Sequence, residues 1–197
     1  MSHFVLLLRG VGGRTQLDLH LLKALLRAEG FEGVRVHGHT GNAVLQSDLS
    51  PEEVTRRAGA ALIREAGFYN GLQVVPAADW AAMVDENPFP DAAATPSTLH
   101  LGVLGAEPDP RRIAAIRRLG DGRDSLEVRG RAVYLHVPAG FSRSRMAGRF
   151  DRGIGVPVTS RSWNTVLALL ALLEAPPHPA RRQAVPAEAP PAEAAPA

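Results

Sequence analysis

The sequence predicts an α+β protein built as two tandem ferredoxin-like β-α-β-β-α-β halves packed into one body. Three observations lead there. Apolar runs of strand length alternate with stripes of helical spacing. Two paired strands joined by a tight turn fall in the middle of each half. The order of elements in residues 1–76 recurs in residues 77–174, although no residue-level repeat connects the two. A third segment, 175–197, is proline, alanine and a few charges without periodicity, and is expected to be disordered.

The first half opens with HFVLLLR (3–9), a short apolar run that reads as a buried strand. TQLDLHLLKALLRAEGF (15–31) carries leucines at 19, 22, 25 and 26, a helical stripe that stops at Gly30. VRVHGH and NAVLQS are two short strands across the turn Thr40-Gly41-Asn42, where Gly and Asn both tolerate positive φ. Ser50-Pro51-Glu52-Glu53 is a helix start, with serine as cap, proline in the first turn and acids against the dipole. That helix is expected to reach about Ala66, and LQVVP (72–76) closes the half as a strand.

The second half begins with a short helix, AADWAAMVDEN, and the strand LHLGVL (99–104). DPRRIAAIRRLG is a helix with Ile113 and Ile116 inward. SLEVRG and RAVYLHVP alternate as strands joined at Gly130. SRSRMAGRFDRG is a helix that Ser142 or Ser144 can cap, VPVTS a short strand, and SRSWNTVLALLALLE (160–174) a closing helix. Its last ten residues are plainly apolar. Its start crowds Ser160, Arg161, Ser162, Trp163, Asn164 and Thr165 together, more polar groups than one cap requires. Ser160 or Ser162 is expected to cap, leaving Arg161, Trp163 and Asn164 free to face a ligand.

Composition narrows the function classes. The chain has 197 residues, 45% of them hydrophobic, enough for a sizeable core. It has no cysteine, which excludes disulfides and thiolate metal sites. The N-terminal apolar run is too short for a signal peptide, and nothing approaches a membrane span, so a cytoplasmic protein is expected. Formal net charge is +2 and the pI about 9.6, short of the footprint of a strong nucleic-acid binder. Lys23 is the single lysine beside many arginines, a bias that looks like a GC-rich genome and makes arginine counts weak evidence.

Four further stretches could carry chemistry. RGVGGRT, between the first strand and helix, could bring backbone N–H groups to an anion. It is neither a P-loop nor a dinucleotide fingerprint, and a plain structural turn is the competing reading. His37 and His39 are two apart, as metal ligands on one strand face can be, but no carboxylate or third histidine lies at ligand spacing. No metal and no cofactor are therefore expected. ENPFP (86–90) reads as a helix stop with a buried anchor. In FSRSRM, Arg143 and Arg145 at a helix start oppose the dipole unless an anion is present. No Ser-His-Asp, His-Glu-x-x-His or cysteine nucleophile pattern appears, so catalysis is left open.

Taken together these stretches resemble the bacterial "domain of unknown function 1697" family. The family pattern of a strand ending Leu-Leu-Arg-Gly with a Val-Gly-Gly turn is met by Leu7-Leu8-Arg9-Gly10 and Val11-Gly12-Gly13. Its Ser-Gly-Asn-Val turn is met by Thr40-Gly41-Asn42-Ala43, and its Asn-Pro-Phe by Asn87-Pro88-Phe89. Tyr134-Leu135 with Pro138 and Ser144-Arg145 follow. The closing Thr-x-Arg-Asn-Trp-Asn-Thr is met at Thr159, Arg161, Trp163, Asn164 and Thr165. The first loop is two residues shorter than the family's and lacks its Ile-Asn pair. Arg145 stands for a lysine and Ser162 for an asparagine. The resemblance implies a duplicated ferredoxin-like body and no biochemical function.

The resulting expectation is a small anionic or nucleotide-like ligand bound by Arg9, Gly12, Gly13, Thr40, Gly41, Asn42, Ser144, Arg145, Arg161, Trp163, Asn164 and Thr165. Arg145 and Arg161 would pair with phosphate or carboxylate, Trp163 would stack and Asn164 would hydrogen-bond. Two alternatives stand beside it. One is a single-stranded nucleic-acid module, which the 5% aromatic content disfavours. The other is a non-catalytic interaction protein using the apolar closing helix as a homodimer surface. No membrane partner is expected.

Overall fold

The computed structural model describes residues 1–11, 17–67 and 71–175. Among them lie two four-stranded antiparallel sheets and six α-helices. The first sheet has the order β2-β3-β1-β4, from β1 (Ser2–Leu8), β2 (Glu32–His37), β3 (Asn42–Ser47) and β4 (Leu72–Pro76). The second has the order β6-β7-β5-β8, from β5 (Leu99–Leu104), β6 (Ser125–Arg129), β7 (Ala132–His136) and β8 (Val158–Ser162). The helices are α1 (Leu19–Ala28), α2 (Pro51–Ala66), α3 (Ala77–Asp85), α4 (Pro110–Arg117), α5 (Arg145–Gly153) and α6 (Trp163–Glu174).

The alternation of each strand sorts its side chains into layers. In β1, Phe4, Leu6 and Leu8 join the core formed with Leu22, Leu26, Val54 and Leu62 of α1 and α2. Val5 and Leu7, on the opposite face, join a second core. In the other sheet, Val133 and Leu135 of β7 pack with Ile113, Ile116, Met146 and Phe150 of α4 and α5. Tyr134 and Ala132 turn back to the second core, with Leu99, Leu101 and Val103 of β5. That central core also holds Trp80 of α3 and Trp163, Val166 and Leu169 of α6. Both faces of both sheets are thus covered, and the central layer joins the two halves. Trp80 Nε1 donates to the Val166 carbonyl at 3.3 Å, and the Tyr134 hydroxyl donates to the Met83 carbonyl at 2.7 Å, so the buried polar tips are satisfied.

Most helix ends follow their sequence signals. Ser50 caps α2 through the Glu53 amide at 3.3 Å, and Ser144 caps α5 through the Ala147 amide at 3.0 Å. Two starts differ from expectation. The first helix begins at Leu19 rather than near residue 15, because the Asp18 carboxylate accepts from the His20 amide at 2.8 Å and sets the cap there. The closing helix begins at Trp163. Ser160, Arg161 and Ser162 belong to β8, paired with Gly102, Leu101 and His100 of β5. Ser160 is therefore no cap. Ser162 occupies the cap position without accepting a backbone bond, its hydroxyl lying 3.3 Å from that of Thr165.

The apolar residues of α6 are buried unevenly. Val166 and Leu169 are fully buried, Leu170, Leu172 and Leu173 are half-buried against the central core, and Leu167 is exposed. His39 falls in the turn after β2, so it does not share a strand face with His37. Among the described residues no group of three metal-ligating side chains occurs, and no helix is long and apolar enough to cross a membrane. The segment 176–197 lies outside the described residues, as do Gly12 and Gly13 of the first loop.

Candidate functional site

The polar groups of the closing motif meet the first half at one point, and Arg161 makes the junction. Period-two alternation places Arg161 opposite Leu101, on the face of the second sheet that looks toward the central core. β8 is an edge strand, so the long side chain can reach across the seam. Its Nη2 donates to the Leu8 carbonyl at 2.6 Å and to the Thr40 carbonyl at 2.9 Å. Its Nε donates to Asn42 Oδ1, and its Nη1 donates to the Ser160 carbonyl at 2.8 Å. Three of these four acceptors belong to the first half.

The first half is shaped to present them. Asn42 is buried, and its Nδ2 donates to the His37 carbonyl and to Thr40 Oγ1, both at 3.0 Å. That leaves Oδ1 aimed at Arg161. Gly41 sits at φ +69°, and a Cβ there would lie 2.7 Å from Leu8, so the turn can press onto the end of β1 only with glycine. The Leu8 amide in turn donates to the Gly41 carbonyl at 2.8 Å.

This constellation is unusual in charge. Arg161 is largely withdrawn from solvent, and every acceptor it meets is neutral. Burial pushes the guanidinium down to about 10, so it still carries its charge at neutral pH. Among the described residues no carboxylate pairs with it. Two adjoining clefts open on it. One of about 260 Å³ is lined by Arg9, Gly10, Phe141, Phe150 and Asp151 with residues 158–161. The other, about 290 Å³, is lined by Thr40, His100, Phe141, Ser160, Arg161, Ser162 and Thr165. Arg9 stands at the rim of the first, paired with Asp151 at 3.0 Å. In the second, the His100 ring lies 4.6 Å from the Phe141 ring, centroid to centroid. His100 Nδ1 is buried without a hydrogen-bond partner, and burial lowers the imidazole's affinity for a proton.

The structure thus brings Arg9, Thr40, Gly41, Asn42, Arg161 and Thr165 to one seam. It places the remaining expected residues elsewhere. Trp163 is 2% exposed in the central core and offers no ring face to a ligand, because the helix starts at this residue and turns its indole inward. Asn164 is exposed and lines neither seam cleft. Ser144 is buried and committed, capping α5 and donating to Asp124 at 2.6 Å. Arg145 opens onto a separate groove between α4 and α5. His100, Phe141 and Asp151 were not singled out by sequence reasoning. The signal for His100 was present: it is the one polar side chain inside the apolar strand LHLGVL.

No curated protein matches the chain. Among solved structures, it is similar to a conserved bacterial protein from Streptococcus pneumoniae, with a TM-score of 0.69 and 16% identity, covering 88% of this chain and 99% of that one. At that identity the likeness concerns the fold alone. The sequence pattern of the family described as "Protein of unknown function (DUF1697)" matches residues 1–134, which include the Arg9–Gly10 strand end, the Thr40–Asn42 turn and Tyr134. That span is well over half of the chain, and the protein belongs to this family.

Proposed function

We propose that the protein binds a small anion, carrying a phosphate or carboxylate group, in the seam clefts that open on Arg161. The observation that carries this reading is a largely buried guanidinium that has no carboxylate partner among the described residues and faces a cleft lined by hydroxyls. Four of its five N–H donors are committed to the protein, so it would contribute charge and one remaining Nη1–H rather than a two-pronged grip. The hydroxyls of Thr40, Ser160, Ser162 and Thr165 supply further donors, and the first turn of α6 has no side-chain cap competing for its amides. His100 gains a partner for its lone Nδ1 when it protonates beside an anion. Clefts of this size lie at or below the low end for drug-sized ligands, which favours a phosphate or short carboxylate over a nucleotide.

The same reading treats each half as a ferredoxin-like unit, which the matching sheet orders of the two halves support. It also keeps the protein cytoplasmic. The dimer-surface alternative is less favoured by the burial of Val166 and Leu169 of α6 in the central core, although Leu167 is exposed.

The test is isothermal titration of the full chain with inorganic phosphate at constant ionic strength, for the wild type and for His100→Leu and Thr165→Val, which line the cleft without touching the Arg161 contacts. Saturable heat that weakens at least tenfold in both variants is expected. Absence of saturable heat, or equal affinity in all three proteins, overturns the proposal.

A further inference from the structure

A second basic feature lies away from the seam. Helices α4 and α5 cover the outer face of the second sheet and run antiparallel. Arg112 of α4 reaches the Gly153 carbonyl at 3.4 Å at one end, and Ser144 meets Asp124 at the other. Between them is a groove of about 840 Å³. Every ionisable side chain that lines it is an arginine: Arg112, Arg145, Arg149 and Arg152. Its bed is aliphatic, from Ala115, Ile116 and Leu119, and Gly148 leaves it open, since a Cβ there would meet nothing within 4 Å.

Arginine is common in this chain, and several of the arginines outside this groove are neutralised by carboxylates. Arg56 and Arg57 pair with Glu53, Arg64 with Glu29 and Glu65, Arg117 with Glu127, Arg123 with Asp121 and Arg9 with Asp151. Among the described residues, Arg145, Arg149 and Arg152 make neither an ion pair nor a hydrogen bond, and all three are exposed. Arg145 also sits in the first turn of α5, where a positive charge opposes the helix dipole. What sets these three apart is that they line one groove together with no acidic side chain in its lining, and a genomic bias toward arginine explains the count and not that placement. Three like charges on one stripe at i, i+4 and i+7 repel one another, a cost that a polyanionic occupant removes.

We propose that this groove docks an acidic, amphipathic helical segment of a partner protein. The three guanidiniums span about 10 Å along α5, two turns of an opposing helix, and each can fork onto a carboxylate. The aliphatic bed then receives the apolar side chains between those carboxylates, the helix-in-groove mode. A nucleic acid fits this lining less well. It brings phosphates for the arginines but nothing apolar for the bed, and no aromatic side chain lines the groove to stack a base.

The experiment uses the full chain and three labelled probes in fluorescence anisotropy. They are a helix-forming peptide with glutamates and leucines on one face, the same peptide with glutamine for glutamate, and a single-stranded RNA of similar length. The proteins are the wild type and a combined Arg145→Ala, Arg149→Ala, Arg152→Ala variant. These positions are exposed, so the variant should fold, and its phosphate response at the seam should be unchanged. Expected are salt-sensitive binding of the acidic peptide, at least tenfold weaker in the variant, and no comparable binding of the glutamine peptide. Equal binding of the two peptides, equal affinity of the two proteins, no binding of the acidic peptide, or RNA binding tighter through the same arginines would each overturn the proposal.

Discussion

Replacing Arg161 by methionine keeps the length of the side chain and removes every donor that crosses the seam. Two acceptors are left in a dry environment, the Leu8 carbonyl and Asn42 Oδ1, on residues that are 3% and 1% exposed. The Thr40 carbonyl lies on an exposed residue and can turn to water. Each stranded buried acceptor costs about 1–3 kcal/mol. Removing a charge that the folded state holds without a counter-ion offsets part of this. The net loss is about 3 kcal/mol. For a chain of this size that corresponds to a fall in melting temperature of roughly 6–12 °C, read by circular dichroism. Arg161→Lys should fall between, because one ammonium cannot reach acceptors spread over β1, the Thr40 turn and β8. A methionine variant melting within about 2 °C of the wild type, under 1 kcal/mol on the same scale, would refute the idea that Arg161 fastens the halves together.

Other residues of the closing motif should behave differently under the same thermal assay. Asn164→Ala, at an exposed position, should change stability by no more than about 0.5 kcal/mol. Trp163→Ala should cost about 3–5 kcal/mol as a core cavity. Ser162→Ala should cost well under the roughly 1 kcal/mol of a working cap, whereas Ser144→Ala should show that cost. His100 has a folded pKa below its ordinary value of 6.5, so the unfolded chain binds the proton more readily. Its contribution is complete above pH 6.5 and is lost as the pH falls toward the folded value; His100→Leu should remove that acid limb. Tyr134 is pushed up to about 12 by burial, so stability should fall as the pH rises from about 10 toward 12, and Tyr134→Phe should abolish the decline.

Much of the fold was legible because local pattern and tertiary environment agree. The leucine stripe of α1, the Ser50-Pro51 start of α2 and the alternation of β6 and β7 each have a single geometric solution. The closing motif was misread because two elements meet inside it without a turn. Ser160-Arg161-Ser162 has the polarity of a helix cap, yet it lies on an edge strand, where polar side chains on the exposed face are ordinary. Only its pairing with β5 reveals that Arg161 points to the first half. The convergence of Thr40, Asn42 and Arg161 was expected from separate polar segments. Its main bonds, however, run to backbone carbonyls, which side-chain identity does not encode. Trp163 shows the opposite limit, since an indole beside polar residues suggests a ligand platform until its burial is known.

The most direct measurement of the central claim follows the Arg161 Nε–H resonance during a phosphate titration of the isotope-labelled full chain. The bond to Asn42 should make this proton slow to exchange and individually visible, and Arg161→Lys identifies it by its disappearance. The account predicts that the resonance is present without ligand and shifts saturably with phosphate, together with the ring protons of His100. A resonance in fast exchange with water would contradict the fastening role. A sharp resonance that phosphate leaves unmoved, with His100 unmoved as well, would contradict the anion site.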